Sequence, residues 1–354
     1  MEKAVKKNCF QEIKEKAKLV LKDIRKNIIK DSRIKWVDIF RGILIILVVL
    51  SHQSGIPEIY LTFFTTFFLI GFFFISGYLF KSRSIKEFIV NRIFSLIIPW
   101  LLLSIVEILV NKGLMVSIIN DINNIKEPLT KILMGLSIWF LPCLFVTEIY
   151  FIIISKIIKN EKMQVVILIG LSIIGLIIMK PGEKYFFHYD VALFMLLFYT
   201  MGYLYRRYEE KVKEKICNNA VLIITLLVYL IIRILDFIFL KSQIDLATSK
   251  IGNIPIYIIS AILGIIIVYI ISNKISKWNN RILIFLGQNT LLYYSLHLKI
   301  MVTLDKFLLR LNINNYIYCF VNAILTIAIL VIPVILINRY LPIMSGKYKL
   351  KKKT

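Results

Sequence analysis

Apolar residues in this chain run in long blocks separated by short polar stretches. Ten blocks stand out, at about 37–54, 60–80, 90–110, 132–155, 164–180, 190–206, 219–240, 254–273, 282–304 and 316–340. Each is near the ~20 residues that carry a helix across the hydrocarbon core of a bilayer. The pattern predicts an all-α integral membrane protein, with about ten transmembrane helices around a polar cavity. Ahead of the first block, Phe10, Ile13, Ala17, Val20, Ile24 and Ile28 recur at steps of three or four among Lys and Glu. That spacing predicts an amphipathic helix lying on the membrane surface; the alternative is a solvated basic tail. The chain thus divides into a tail (1–36), a membrane domain (37–340) and a short basic tail (341–354).

Composition sharpens this picture. Hydrophobic residues make up 58% of the chain, against ~45–50% in soluble proteins. A soluble globular enzyme and a disordered chain are both excluded. Net charge is +24, from 45 Lys and Arg against 21 Asp and Glu. In a soluble protein that excess points to nucleic acid. Here it lies between the apolar blocks, so no nucleic-acid partner is expected, and the charge sets topology and meets anionic lipid. Lys and Arg crowd both tails and every second loop, which puts both termini in the cytoplasm. An even number of spans agrees. Trp36, Trp100 and Trp278 fall near block ends, as interfacial aromatics do. The abundance of Lys over Arg, and of Ile and Asn, suits an AT-rich bacterial genome and a cytoplasmic-membrane location.

Four scattered cysteines (Cys9, Cys143, Cys217 and Cys319) and three histidines give no disulfide framework and no metal-ligand spacing. A P-loop, a dinucleotide fingerprint and a Ser-His-Asp spacing are also missing. No metal and no bound cofactor are expected.

Ionisable groups inside a span are costly and therefore candidates for function. The first block holds Asp38, Arg41 and His52. Arg41 and His52 are 11 residues apart, roughly three turns plus 20°, so they share a helix face ~16 Å apart along the axis. Asp38 is one turn before Arg41 and can pair with it. The alternative is an interfacial ion pair with His52 among outer headgroups. The ninth block carries Gly287-Gln288-Asn289-Thr290-Leu291 and then His297. His52 and His297 each lie ~22 Å into their spans, so two imidazoles at matched depth can line one cavity. A lone histidine packed on a polar neighbour is the alternative for His297. Lys81, Arg83, Lys86 and Arg92 precede Pro99-Trp100 in the third block. A proline inside a helix frees backbone groups and marks a kink or cavity. Arg233 and Asp236, three apart in the seventh block, predict a structural ion pair.

Arg41-x10-His52 within Asp38-Ile-Phe-Arg41-Gly42-Ile-Leu-Ile resembles the signature of the membrane-bound acyltransferase 3 family. Further matches follow in order: Phe74-Ile75-Ser76-Gly77-Tyr78, Arg92 to Pro99, Trp139-Phe140-Leu141, Asp190, Gly202-Tyr203, and Gly287 to His297. Together they cover about residues 33–340. The Trp-Phe-Leu element is similar to the sugar O-acetylase branch. The resemblance implies transfer of an acyl group, usually acetyl, to a cell-surface glycan or its lipid-linked precursor. It places the catalytic pair on Arg41 and His52 and a donor-side basic group on Arg92. A second basic position, three residues on, is Ser95 here, and Lys86 is the expected substitute.

On this reading acetyl-CoA is the co-substrate and a carbohydrate the acceptor, with membrane lipid the other partner. The donor's phosphates stay near Arg41, Arg92 and Lys86, and its thioester reaches toward His52. His52 acts as general base on a sugar hydroxyl, or carries the acetyl group in a relay. A base must be unprotonated, so activity falls on the acidic side. Asp38 holds Arg41. His297, Asn289 and Glu148 shape the acceptor side, and Trp139 stacks on a sugar ring. A transporter for a lipid-linked glycan and transfer of another acyl group such as succinyl are the alternatives.

Overall fold

The computed structural model describes residues 34–278, 280–308 and 314–347. The surface helix expected before residue 34 and the terminal lysines lie outside the described residues. Among those described, the fold is all helical, with a single isolated bridge between Asp245 and Lys250. Helix α1 covers Lys35–Ser51. It is followed by α2 (Glu58–Tyr78), α3 (Ile85–Val110), α4 (Phe140–Ile157), α5 (Glu161–Ile178), α6 (Phe186–Ile216), α7 (Asn219–Leu240) and α8 (Ile254–Ile275). Then come α9 (Arg281–Gln288), α10 (Thr290–Leu308) and α11 (Tyr316–Tyr340).

Eight of these, α2 to α8 and α11, are long and apolar enough to cross a membrane. The other two expected spans depart from that pattern at the places where the polar residues gather. The first is short, 17 residues. The ninth is two helices, α9 and α10, divided at Asn289. The fourth span also starts later than expected: residues 126–133 form a separate short helix, and α4 begins only at Phe140.

Large apolar side chains stay exposed along one side of α5 (Val166, Ile173, Ile177), α7 (Ile223, Leu227, Ile231) and α11 (Ile324, Ile332). Such surface is tolerated against lipid and not against water. Residues 191–196 of helix α6 are almost wholly enclosed. Trp36 and Trp100, expected as interfacial aromatics, are buried inside the protein. Trp36 packs edge-on against Tyr78 and Tyr269, and Trp100 donates its indole N–H to the Ser137 carbonyl.

Broken helices need their backbone groups met by neighbours. Helix α2 breaks at Thr65–Phe67. Facing it, the Tyr229 hydroxyl of α7 donates to the Phe63 carbonyl at 2.6 Å and Arg233 Nε to the Thr62 carbonyl at 2.8 Å. Arg233 also makes the expected ion pair with Asp236, at 3.1 Å, and both side chains are buried. The pair therefore serves the bundle, in keeping with the structural role expected.

Candidate functional site

Two helices supply the frame of the site. Helix α1 crosses α9 so closely that a Cβ on Gly287 would lie 1.7 Å from the Asp38 carbonyl oxygen. Only glycine permits that approach. It fixes the Arg41 end of α1 against the break at Asn289. Asp38 is buried there, and its Oδ2 accepts from Gln288 Nε2 at 2.8 Å.

The first cavity opens at this end and holds about 230 Å³. Arg41 and Ile45 of α1 line it, with Arg92, Ser95, Asn289 and Lys347. Three of its lining residues are cations and none is a carboxylate. Arg92 is held from behind, where its Nε meets Glu148 Oε2 at 2.8 Å and its guanidinium lies over the Phe88 ring. Glu148 is 1% exposed. Asn289 Oδ1 accepts from Asn338 Nδ2 at 2.7 Å and from Lys347 Nζ at 2.6 Å.

A second cavity, of about 510 Å³, lies at the His52 end. His52 and His297 line it with Trp139, Glu107, Lys131 and Lys299. The two imidazoles stand 4.9 Å apart, edge to face. His52 Nδ1 lies 2.8 Å from the Val48 carbonyl, and His297 Nδ1 lies 2.7 Å from the Tyr294 carbonyl. A carbonyl only accepts, so in the neutral form Nδ1 carries the proton on both rings and Nε2 keeps its lone pair. His297 Nε2 is buried and makes no hydrogen bond. Both imidazoles are thus set with Nε2 as the basic nitrogen.

His52 caps the end of α1, where the turn is tied down locally. Ser51 Oγ donates to the Val48 carbonyl and Gln53 Nε2 to the Val49 carbonyl. It is also tied from across the bundle. Ser54 Oγ donates to Asp305 Oδ2 of α10 at 2.7 Å, and the other Asp305 oxygen accepts from Tyr318 and from Asn322 Nδ2 of α11.

The cavities share one lining residue, Tyr294. Its ring is 5.6 Å from that of Phe140, which lines the first cavity, while the neighbouring Trp139 lines the second. On α10, Thr290, Tyr294 and His297 are spaced for one face. They run from the first cavity through the partition to the second, as Arg41 and His52 do on α1.

The expected residues therefore divide between two places. Arg41 and Arg92 meet in the first cavity. His52, His297 and Trp139 meet in the second, as the matched depths suggested. Asn289 and Glu148, expected beside His297, belong instead to the Arg41 end. Depth separates Glu148 from the imidazoles: it lies nine residues, ~13 Å, along α4 from Trp139, beside Arg92. Leu141, Leu144 and Glu148 form one stripe of α4, and it is turned to Arg92. Lys86 does not reach the cavity. It lies two residues from buried Phe88, and so ~200° around the helix, whereas Arg92 follows Phe88 by four and shares its face. Lys86 is exposed as a result. Sequence reasoning missed Lys347, Tyr294 and Asp305. Tyr294 carries the signal of a seven-residue face from Thr290 to His297. Asp305 sits just past the assumed end of the ninth block.

A family model described as an acyltransferase domain, of the acyltransferase 3 type, matches residues 34–338. No curated protein and no solved structure matches the chain.

Proposed function

The chain belongs to the acyltransferase 3 family, and from that premise we propose that it is a membrane O-acetyltransferase. It takes acetyl from cytosolic acetyl-CoA and gives it to a hydroxyl of a surface polysaccharide or its lipid-linked precursor. The observation that carries the reading is the contrast of two adjoining cavities. One is cationic and free of lining carboxylates; the other holds a pair of imidazoles beside Trp139.

The donor's phosphates occupy the first cavity, which opens to the cytoplasm, where Arg41 and Arg92 offer planar, bidentate donors. The pantetheine arm passes the Tyr294–Phe140 partition. The thioester then lies beside His52. His52 Nε2 takes the proton of the acceptor hydroxyl as that oxygen attacks the thioester carbonyl carbon. The C–S bond breaks as the ester C–O bond forms. The departing thiolate takes the proton back from the imidazolium, and coenzyme A leaves as the thiol. Trp139 offers an apolar face for a sugar ring, and Glu107 and Lys131 offer hydrogen bonds to its hydroxyls.

The test is base-labile O-acetyl on cell-surface glycans of a deletion strain carrying wild type, His52→Ala or an empty vector, at matched protein levels. The expected result is acetyl with wild type alone. Equal acetyl in all three strains would set the proposal aside. Labelled succinyl on the glycan, or glycan export that depends on the protein with no acyl change, would point to the two alternatives instead.

A further inference from the structure

We propose that the turn after α11 completes the donor site, with Lys347 as a third phosphate-binding cation. This rests on the acetyl-CoA reading above and adds a residue to it.

Pro99 interrupts the hydrogen-bond ladder of α3. An imino nitrogen cannot donate to the carbonyl four residues back, and the proline ring crowds that carbonyl. The residue four back is Ser95. Around it α3 widens into a π turn at Ile93–Ile97, the usual response of a helix that must absorb an irregular residue. Gly346 packs against this turn at Ser95, with its own N–H donating to the Ile343 carbonyl. A Cβ on Gly346 would lie 2.5 Å from the Ser95 oxygen, and its φ is +65°. Both facts demand glycine. Residues 342–347 close a compact turn on this contact, with the Lys347 amide donating to the Pro342 carbonyl.

The seated turn brings Ser345, Gly346 and Lys347 into the wall of the first cavity. Lys347 is partly buried, and its Nζ reaches Asn289 Oδ1 at 2.6 Å. Arg41, Arg92 and Lys347 thus face one space from α1, α3 and the final turn. A coenzyme A donor carries several phosphate charges. Two guanidiniums and an ammonium match them in sign, with the ammonium serving as a point charge. Asn289 holds Lys347 as Glu148 holds Arg92.

The experiment uses the full-length protein in detergent. Coenzyme A affinity is measured for wild type, Lys347→Ala, Lys347→Arg and Gly346→Ala. Turnover is measured with acetyl-CoA and with S-acetylpantetheine, which has no phosphate. Lys347→Ala should weaken coenzyme A binding about 10–100-fold, the range for one charged contact. It should leave kcat/KM with S-acetylpantetheine within about twofold, since that donor brings no phosphate to the cavity. Lys347→Arg should restore most of the affinity, and Gly346→Ala should reproduce the loss by unseating the turn. Unchanged coenzyme A affinity in Lys347→Ala would overturn the inference alone. So would an equal loss with both donors, which means that Lys347 only holds the fold. Wild type that does not bind coenzyme A would overturn the donor reading itself, and this inference with it.

Discussion

The cavity at Arg41 and the cavity at His52 lie end to end on the same two helices, yet they differ in every chemical respect. The first is lined by three cations and no carboxylate, with Arg92 held by Glu148 behind the wall and Lys347 by Asn289 within it. The second mixes Glu107 and Glu127 with Lys131 and Lys299 around two imidazoles and an indole. A surface of one sign selects a ligand by charge and tolerates little else. A mixed surface with an aromatic face suits a neutral, hydroxyl-rich ligand. On the proposed reading, an anion binds at one end and a proton moves at the other. Substitutions should therefore separate donor affinity from turnover according to the cavity they touch.

His52→Ala is the largest expected effect. Loss of a general base costs typically 10²–10⁴-fold, so kcat should fall by about that factor. Coenzyme A affinity should stay near wild type, because His52 lines only the second cavity. A loss of coenzyme A binding equal to the loss of turnover would break the division of labour. Glu148→Ala is its mirror image. Removing a charged hydrogen bond costs about 1.5–3 kcal/mol, and Arg92 would lose the carboxylate that orients it. Coenzyme A binding should weaken about 10–100-fold, with kcat at saturating donor changed far less. An effect on kcat alone would place Glu148 in the chemistry and sink the assignment.

Ser54→Ala tests the tie between α1 and Asp305. It removes one hydrogen bond to the turn that carries His52 and leaves the ring in place. We expect kcat to drop about 5–10-fold, less than the full loss of one charged hydrogen bond, because the turn keeps its local ties, with donor affinity untouched. Trp139→Ala should act on the acceptor. An aromatic face contributes ~0.5–1.5 kcal/mol beyond its area, so the acceptor KM should rise about 2–10-fold while the acetyl-CoA KM holds. A rise in the acetyl-CoA KM would move Trp139 to the wrong cavity.

How much of this was legible in the sequence follows from what each inference required. Arg41 and His52 share one helix, and a single periodicity argument aligned them. The imidazole pair needed only equal depths in two parallel spans, which residue counting supplies. The Arg233–Asp236 pair was one helical turn. Glu148 needed the true start of α4 at Phe140, which sets it ~13 Å along the helix from Trp139; hydropathy does not disclose that start, because lipid and protein neighbours are both apolar. The break at Asn289 was hidden for the same reason: hydropathy runs on through a helix interruption that its neighbours satisfy. Lys347 was the least legible, since it depends on Gly346 packing against the Ser95 carbonyl, far away in the chain. The resemblance to the acyltransferase 3 family was legible throughout, and residues 34–338 bear it out.

The smallest expected effect is the sharpest test of how charge is used here. Lys86 and Lys347 are both lysines near the first cavity, and the basic segment before Pro99 made Lys86 the natural donor-binding choice. Helix geometry turns Lys86 away from the face shared by Phe88 and Arg92, into the open. An exposed lysine at that distance acts through water and salt, where surface charges contribute within ±0.5 kcal/mol. Lys86→Ala should therefore change coenzyme A affinity by less than about twofold at physiological ionic strength, and that small change should vanish at high salt. Lys347→Ala, tested beside it, removes the same charge and should cost at least ten times more. If the two lysines proved equal, the first cavity would be reading net basic charge at the membrane surface, and its three converging cations would have no special standing.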